Sequence, residues 1–185
     1  MVPYVLGVAL LTASGLLFLL SSRNRQLSAD YRRLRQLSTL PHAGIVVPTF
    51  RTATLENRSI VVGELTDSTA RQVLFVFNTT CPFCLATIPE WKRLTDSLGR
   101  LGGVQVVAIS LHSPDSTRRY VADHEIAYPV LTFPDGKLAR LYRAVAVPQT
   151  VVLDWRGTVL YAKTGTLDPA SLDSVYVAVT GRSHL

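Results

Sequence analysis

The stretch VLFVFNTTCPFC, residues 73–84, places both cysteines of this 185-residue chain directly after an apolar run. Residues 73–77 are aliphatic, β-branched or aromatic, which is typical of a buried strand. Pro82 favours a helix start, because proline fits the first helical position. Cys81 and Cys84 are therefore predicted to share one face of a first helical turn, close enough for a disulfide.

At the predicted start of that helix, Cys81 lies over backbone N–H groups that have no partner within the helix. These donors favour a thiolate, the form in which cysteine attacks a disulfide. Zinc is an alternative, but it needs four ligands. The other soft ligands, which lack zinc-site spacing, are His42, His112, His124 and His184.

A purely structural disulfide is the second alternative for Cys81 and Cys84. Closing so short a loop removes little entropy from the unfolded chain, so the bridge would stabilise the fold weakly. The spacing after a strand and before a helix predicts a redox pair instead, with no metal and no other cofactor.

The composition, 48% hydrophobic and 17% charged residues, predicts a globular domain with an apolar segment and excludes disorder throughout. The net charge is +6. Because many basic residues cluster at 23–35, directly after the apolar N-terminal segment, the charge points to a membrane surface and not to nucleic acid.

Residues 1–22 contain no charged side chain, and residues 2–20 are nearly all apolar. About 19 residues at 1.5 Å each nearly span a hydrocarbon core of roughly 30 Å. A transmembrane anchor is therefore predicted over 1–22, in contact with the lipid bilayer. A cleaved secretory signal is the alternative, although the segment lacks an N-terminal Lys or Arg and a small-x-small cleavage site.

Residues 23–47 are predicted to be an Arg-rich juxtamembrane segment and linker. Leu27, Tyr31, Leu34 and Leu37 have helical spacing, which fits either an amphipathic helix on the head groups or a solvated continuation of the anchor.

From Pro48 to the end, strand and helix signals alternate, which predicts one α/β domain over 48–185 with helices on both faces of a sheet. Pro89 falls inside the cysteine-bearing helix, where it should kink the axis, and Trp91 and Leu94 are expected in the core. The predicted elements are a hairpin of 49–55 and 59–62, a strand at 73–77, a helix at 82–98 ended by Gly99, a strand at 104–110, a helix at 117–124, a strand at 128–131, a helix at 137–142, a hairpin of 150–153 and 159–163, and a helix from Asp168 to about 180.

Together, the CPFC motif at a helix start, Pro89 within that helix and the sequence VPQT at 147–150 before a strand resemble the thioredoxin superfamily. The resemblance covers roughly residues 48–180 and is nearest to the membrane-tethered TlpA/ResA-like branch, with the MauD-like redoxins as near relatives. It implies a central mixed sheet flanked by helices, and thiol–disulfide exchange outside the cytoplasm.

The resemblance also implies roles for individual residues. Cys81 would be the attacking thiol, Cys84 the resolving thiol, and Pro148 a cis-proline packed against the disulfide. A cis bond would expose the backbone of Val147 to a substrate chain. The substrate surface would further include Thr80, Pro82 and Phe83.

Two positions depart from the family pattern. Thr80 stands where a tryptophan is common, and Thr87 where a glutamate is often found, with Glu90 one turn further on. No proton acceptor for Cys84 is identified. The intervening Pro-Phe is closer to the Pro-Tyr of glutaredoxins than to the Gly-Pro of thioredoxins, so the direction of electron flow stays open.

We expect an enzyme that exchanges disulfides with protein substrates and with a membrane or soluble electron-transfer protein. One alternative is a tethered binding or assembly module with a passive bridge. Another is a peroxiredoxin-like peroxidase, but Leu74 and Asn78 occupy the proline and threonine positions of the signature P-x-x-x-T-x-x-C.

Two indications conflict over the side of the membrane. The arginines after the anchor favour a cytoplasmic domain by the positive-inside rule. The tethered relatives and the lack of further cysteines favour an extracytoplasmic one. We expect a single-pass protein of the cell membrane with its domain on the periplasmic side.

Overall fold

A computed structural model of the protein describes residues 14–28, 30–31 and 39–181. The chain divides into two compact units, with the boundary between Thr39 and Leu40. Each unit is described by itself.

Residues 14–28 and 30–31 of the first unit are helical, and most of their side chains are exposed. Within the described ranges, no helix has both the length and the apolar character needed to cross a membrane. The first 13 residues of the predicted anchor lie outside the described residues, as do three of the predicted juxtamembrane arginines, Arg32, Arg33 and Arg35. The anchor stays a prediction.

The second unit alternates strands and helices as the sequence predicts. Its elements are β1 (Phe50–Ala53), β2 (Ser59–Val62), β3 (Arg71–Phe77), α1 (Pro82–Gly99), β4 (Val104–Ser110), α2 (Pro114–Asp123), β5 (Val130–Thr132), α3 (Gly136–Leu141), β6 (Gln149–Leu153), β7 (Val159–Thr164) and α4 (Pro169–Thr180).

The main sheet has the strand order β5-β4-β3-β6-β7 among the described residues, and β1 pairs with β2 in a separate hairpin. Strand β3 runs parallel to β4 and antiparallel to β6. The predicted mixed sheet is therefore confirmed. Because β3 is the central strand, Cys81, which follows its carboxyl end, lies at the middle of one edge of the sheet.

Alternate residues of β3 face two hydrophobic clusters. Phe75 points to the cluster formed with α1, where its ring stacks on Trp91 with centroids 4.8 Å apart. Leu74 points to the cluster formed with the β1–β2 hairpin. Every residue from Gln72 to Phe77 is buried, which explains why residues 73–77 form a continuous apolar run in the sequence. The predicted core positions Trp91 and Leu94 are confirmed, with 1% and 2% exposure.

Several predicted boundaries differ by a few residues. Helix α1 includes Gly99 and ends at the cap Arg100, while the left-handed glycines lie further on at Gly102 and Gly103. Helix α2 begins at Pro114, three residues earlier than predicted, because that proline occupies its first turn as Pro82 does in α1.

Two further boundaries also shift. The strand predicted from Tyr128 begins at Val130, because Pro129 has no N–H group to donate to a neighbouring strand. The helix predicted at 137–142 spans Gly136–Leu141, with Asp135 accepting from Leu138 N at 2.8 Å.

A tight turn joins β6 to β7 and requires glycine at its end. Gly157 has φ +77°, and a Cβ atom there would lie 2.4 Å from Gly63 O. The Asp154 carboxylate closes the turn by accepting from Arg156 N at 2.9 Å and Thr158 N at 2.8 Å. The predicted hairpin is confirmed.

Candidate active site

The loop between β3 and α1 fixes the position of the first cysteine. Asn78 Oδ1 accepts from both the backbone N–H and the hydroxyl of Thr80, each at 2.9 Å. Cys81 N donates to Asn78 O at 3.2 Å. This side-chain turn presents Cys81 in an extended conformation as the N-cap of α1.

A second contact fixes the same loop from the neighbouring strand. The Thr79 hydroxyl forms a short hydrogen bond with His112 Nδ1, which follows the end of β4. Since β3 and β4 are parallel, both side chains lie at the edge of the sheet where their strands end. The sequence predictions missed this pair, because no local spacing links residues 79 and 112.

The half-buried Cys81 sulfur touches two backbone groups. It accepts from Cys84 N at 3.4 Å and donates to Val147 O at 3.8 Å. The first contact places the partial positive charge of a helix-start N–H against the sulfur, and the same N–H also donates to Cys81 O at 3.1 Å. The second holds the sulfur beside the segment that precedes Pro148.

Cys84 has no exposed surface and packs in the cluster beneath α1. Burial raises the pKa of its thiol to about 12, with a further rise from Cys81. Cys84 therefore stays protonated near neutral pH. Both cysteines are free thiols in the structure.

The peptide bond between Val147 and Pro148 is cis, as the resemblance predicts. Pro148 is buried, and its carbonyl accepts from Gly165 N at 2.8 Å. The contact that reaches the reactive sulfur comes from Val147 O. The structure thus places the Val147 carbonyl against Cys81, and Pro148 is the next residue in the chain.

The predicted substrate-side residues of the loop and helix start all face outward. Thr80 and Pro82 are exposed, and Phe83 is 65% exposed. Val145, two residues before Val147, is 61% exposed. Within the described residues, Cys81 therefore has the one sulfur with accessible surface, and it lies between segments that offer apolar surface to a partner.

Carboxylates are absent from the immediate surroundings of Cys84 that the structure describes. Thr87, where relatives often have glutamate, is buried and donates to Phe83 O at 2.8 Å. Glu90 pairs instead with the exposed Arg93 at 2.7 Å. Within the described residues, no group of three or more His, Cys, Asp or Glu could hold a metal ion.

Comparison with known proteins agrees with this fold. The model of the AhpC/TSA family matches residues 43–162. The methylamine utilization protein MauD of Paracoccus denitrificans is 28% identical over 139 residues, which cover 75% of this chain and 66% of that protein. The match therefore spans just under two thirds of the length of MauD.

Two solved structures share the fold. A thiol:disulfide interchange protein of the thioredoxin family from Chlorobium tepidum has a TM-score of 0.61 at 20% identity, with 75% of this chain and 99% of that chain covered. The thioredoxin domain of a thiol-disulfide oxidoreductase from Bacteroides vulgatus has a TM-score of 0.64 at 12% identity, with 76% and 99% covered. The fold is thus thioredoxin-like and, because the family model covers more than half of the sequence, the chain belongs to the AhpC/TSA family.

Proposed function

We propose that this chain is a membrane-anchored thiol–disulfide oxidoreductase that exchanges disulfides with protein substrates through Cys81 and Cys84. One observation carries the proposal: the half-buried Cys81 sulfur lies 3.4 Å from a helix-start N–H and directly outside the fully buried Cys84. An accessible sulfur beside a helix-start N–H, backed by a protected second thiol, suits an attack followed by a resolution.

The two steps balance as follows. Cys81 as thiolate attacks a substrate disulfide, and the displaced substrate sulfur takes up a proton. Cys84 then loses its proton and attacks Cys81, which releases the second substrate sulfur as a thiol. The substrate disulfide is reduced to two thiols while Cys81 and Cys84 are oxidised to a disulfide. The same residues serve the reverse direction.

The relatives support this reaction class. The two solved structures named above are described as a thiol:disulfide interchange protein and a thiol-disulfide oxidoreductase. The exposed Phe83 and Val145 offer apolar surface beside the sulfur, which suits a polypeptide substrate better than a small polar one. An electron-transfer protein is the second partner, because the oxidised pair must be reduced again, or the reduced pair reoxidised, to turn over.

Insulin reduction with a thiol reductant tests the proposal. Wild type should accelerate precipitation of the insulin B chain, whereas Cys81→Ser should fall to the background rate. Ala86→Ser is a matched control, since it adds the same hydroxyl at an exposed position of the same helix. Activity that persists without both cysteines would exclude the exchange mechanism. Peroxide consumption without insulin reduction would favour the peroxidase alternative.

The proposed location is the cell membrane, with residues 1–22 in the bilayer and the domain on the extracytoplasmic side. The apolar N-terminal sequence supports the anchor, and the confinement of cysteine to the CPFC motif suits an oxidising compartment. A membrane-impermeant maleimide, added to intact cells with a permeabilised outer envelope, should label Cys81. Complete protection, with labelling only after lysis, would place the domain in the cytoplasm.

A further inference from the structure

Two tyrosine hydroxyls in the hydrophobic cluster that contains Cys84 are buried without a hydrogen-bond partner among the described residues. They belong to Tyr120 and Tyr128, whose side chains are 9% and 6% exposed. A buried hydroxyl without a partner is unfavourable, and phenylalanine would fill the same space without that cost. The two unpaired groups therefore call for a functional explanation.

Tyr120 belongs to the same hydrophobic cluster as Cys84. Its ring stacks on Phe77, the last residue of β3, with centroids 5.5 Å apart. Phe77 lies four residues before Cys81, so the ring packs beneath the loop that carries the site. The titratable groups that face Tyr120 are Cys81 at the N-cap of α1, Cys84 within α1, Tyr128 from the segment before β5, and His124 at the C-cap of α2.

The Tyr120 hydroxyl remains a hydrogen-bond donor at neutral pH. Burial raises its pKa to about 12, and Cys84 and then Cys81 add to the rise. The hydroxyl thus lies within electrostatic reach of both sulfurs and keeps its proton. A neutral hydroxyl in an apolar cluster can donate to a thiolate, and such charge-assisted hydrogen bonds are stronger than neutral ones.

Cys84 would gain from such a donor, because the one contact that lowers the pKa of its thiol comes from the Asn78 backbone. In the resolving step it must become a thiolate inside the core, where burial opposes ionisation. Thr87 and Glu90 do not help, because Thr87 is bonded to the helix backbone and Glu90 pairs with Arg93. The Asn78 backbone favours the ionised sulfur of Cys84 and Cys81 opposes it, so Tyr120 is the side-chain donor left to add to the contact from Asn78.

We propose that the Tyr120 hydroxyl donates a hydrogen bond to Cys84 Sγ as that sulfur becomes a thiolate and attacks Cys81. The proposal rests on the proposed exchange reaction and deepens it. The proton that Cys84 gives up is balanced by the proton that the departing substrate thiolate takes up, and Tyr120 keeps its own. Because the hydroxyl is unpaired in the reduced protein, the bond forms with the negative charge and so accelerates the step.

A two-phase reaction with dithiobis(nitrobenzoate) separates the steps. Attack by Cys81 releases one coloured thionitrobenzoate, and attack by Cys84 on the resulting mixed disulfide releases the second. In stopped-flow measurements Tyr120→Phe should slow the second phase about tenfold, the size expected for one hydrogen bond to a charged group. The first phase should be unchanged, and the thermal midpoint should be unchanged or raised.

Tyr128→Phe is the matched control, since it removes the other unpaired hydroxyl from the same cluster. We expect it to leave both phases at the wild-type rates. Below pH 9.0 the rate of the second phase should rise with pH, and only in Tyr120→Phe should this profile be displaced by about one unit to higher pH, an effect that a packing role would not produce.

The outcomes are distinguishable. If wild type shows a second phase and Tyr120→Phe changes its rate by less than twofold, this proposal alone is overturned. Equal slowing in both tyrosine variants, or slowing of both phases with a lower thermal midpoint, would also overturn it, since the hydroxyl would then act through packing. A wild-type protein without a second phase would overturn the proposed function and this proposal with it.

Discussion

The CPFC segment has a cysteine at each end, one at the partly exposed outer end and one at the buried inner end. At the outer end, Cys81 caps the helix, is half-buried and touches backbone groups of α1 and of the segment before Pro148. At the inner end, Cys84 is fully buried among apolar side chains, and burial raises its pKa. Three residues of helix are therefore enough to separate an attacking thiol from a protected one.

The largest expected effect comes from substituting Cys84 and Cys81 one at a time. Cys84→Ser should trap a covalent complex between Cys81 and a substrate, because the attack proceeds but the resolution cannot. Cys81→Ser should trap none, because Cys84 has no access to a substrate. Non-reducing gels and mass spectrometry of material captured from the native membrane fraction measure both. Complexes that form only in Cys81→Ser would reverse the assigned roles.

Alkylation tests the same contrast without a substrate. At neutral pH, iodoacetamide should modify Cys81 at least about a hundredfold faster than Cys84, since only the thiolate reacts and Cys84 is buried and protonated. In denaturant the two rates should converge, which provides the control. Peptide mapping that finds Cys84 labelled first in the folded protein would contradict the comparison.

The sequence predicted much of this contrast, because its causes are local. A buried strand, Pro82 at a helix start and a three-residue spacing together place Cys81 at the edge and Cys84 one turn inward. The same local logic predicts the Asp154 turn and the capping of α4 by Asp168, which accepts from Ser171 N at 2.7 Å.

The features that the sequence did not predict are those assembled across the sheet. His112 reaches Thr79 from the neighbouring strand, and Tyr120 reaches the cluster of Cys84 from α2. Neither residue belongs to a motif. Their roles depend on strand order and helix packing, which single-sequence patterns leave undetermined. The cis bond before Pro148 was predicted by resemblance, since composition alone favours trans.

The pH dependence of stability sharpens the comparison at the inner end. Cys84 has a pKa raised from 9.0 to about 12 in the folded state, so the folded protein keeps a proton that the unfolded chain releases above pH 9.0. Stability is therefore fully present below pH 9.0 and falls as the pH rises toward 12. The slope from this one group approaches about 1.4 kcal/mol per pH unit.

Urea denaturation under reducing conditions measures this slope. Cys84→Ala should flatten it just above pH 9.0, where tyrosines with an ordinary pKa of 10.0 are still mostly protonated. The alanine variant loses some stability at every pH because it leaves a cavity, so the slopes and not the absolute values are compared. An unchanged slope would mean that Cys84 is not protonated preferentially in the folded state.

The smallest expected effect concerns Glu90, the nearest carboxylate in sequence to the position where relatives often have glutamate. If Glu90 accepted a proton from Cys84, the inner end would need no other polar partner. The structure instead pairs Glu90 with Arg93 at 2.7 Å, and Arg93 has 74% of its side chain exposed. An exposed pair of this kind contributes only about 0.2–1 kcal/mol to stability.

Glu90→Gln should therefore leave the resolving phase within twofold of wild type and shift the thermal midpoint little. Arg93→Gln is the matched control for loss of the pair. A tenfold slower resolving phase in Glu90→Gln but not in Arg93→Gln would show that this carboxylate, one turn from the position of Thr87, serves the buried thiol after all.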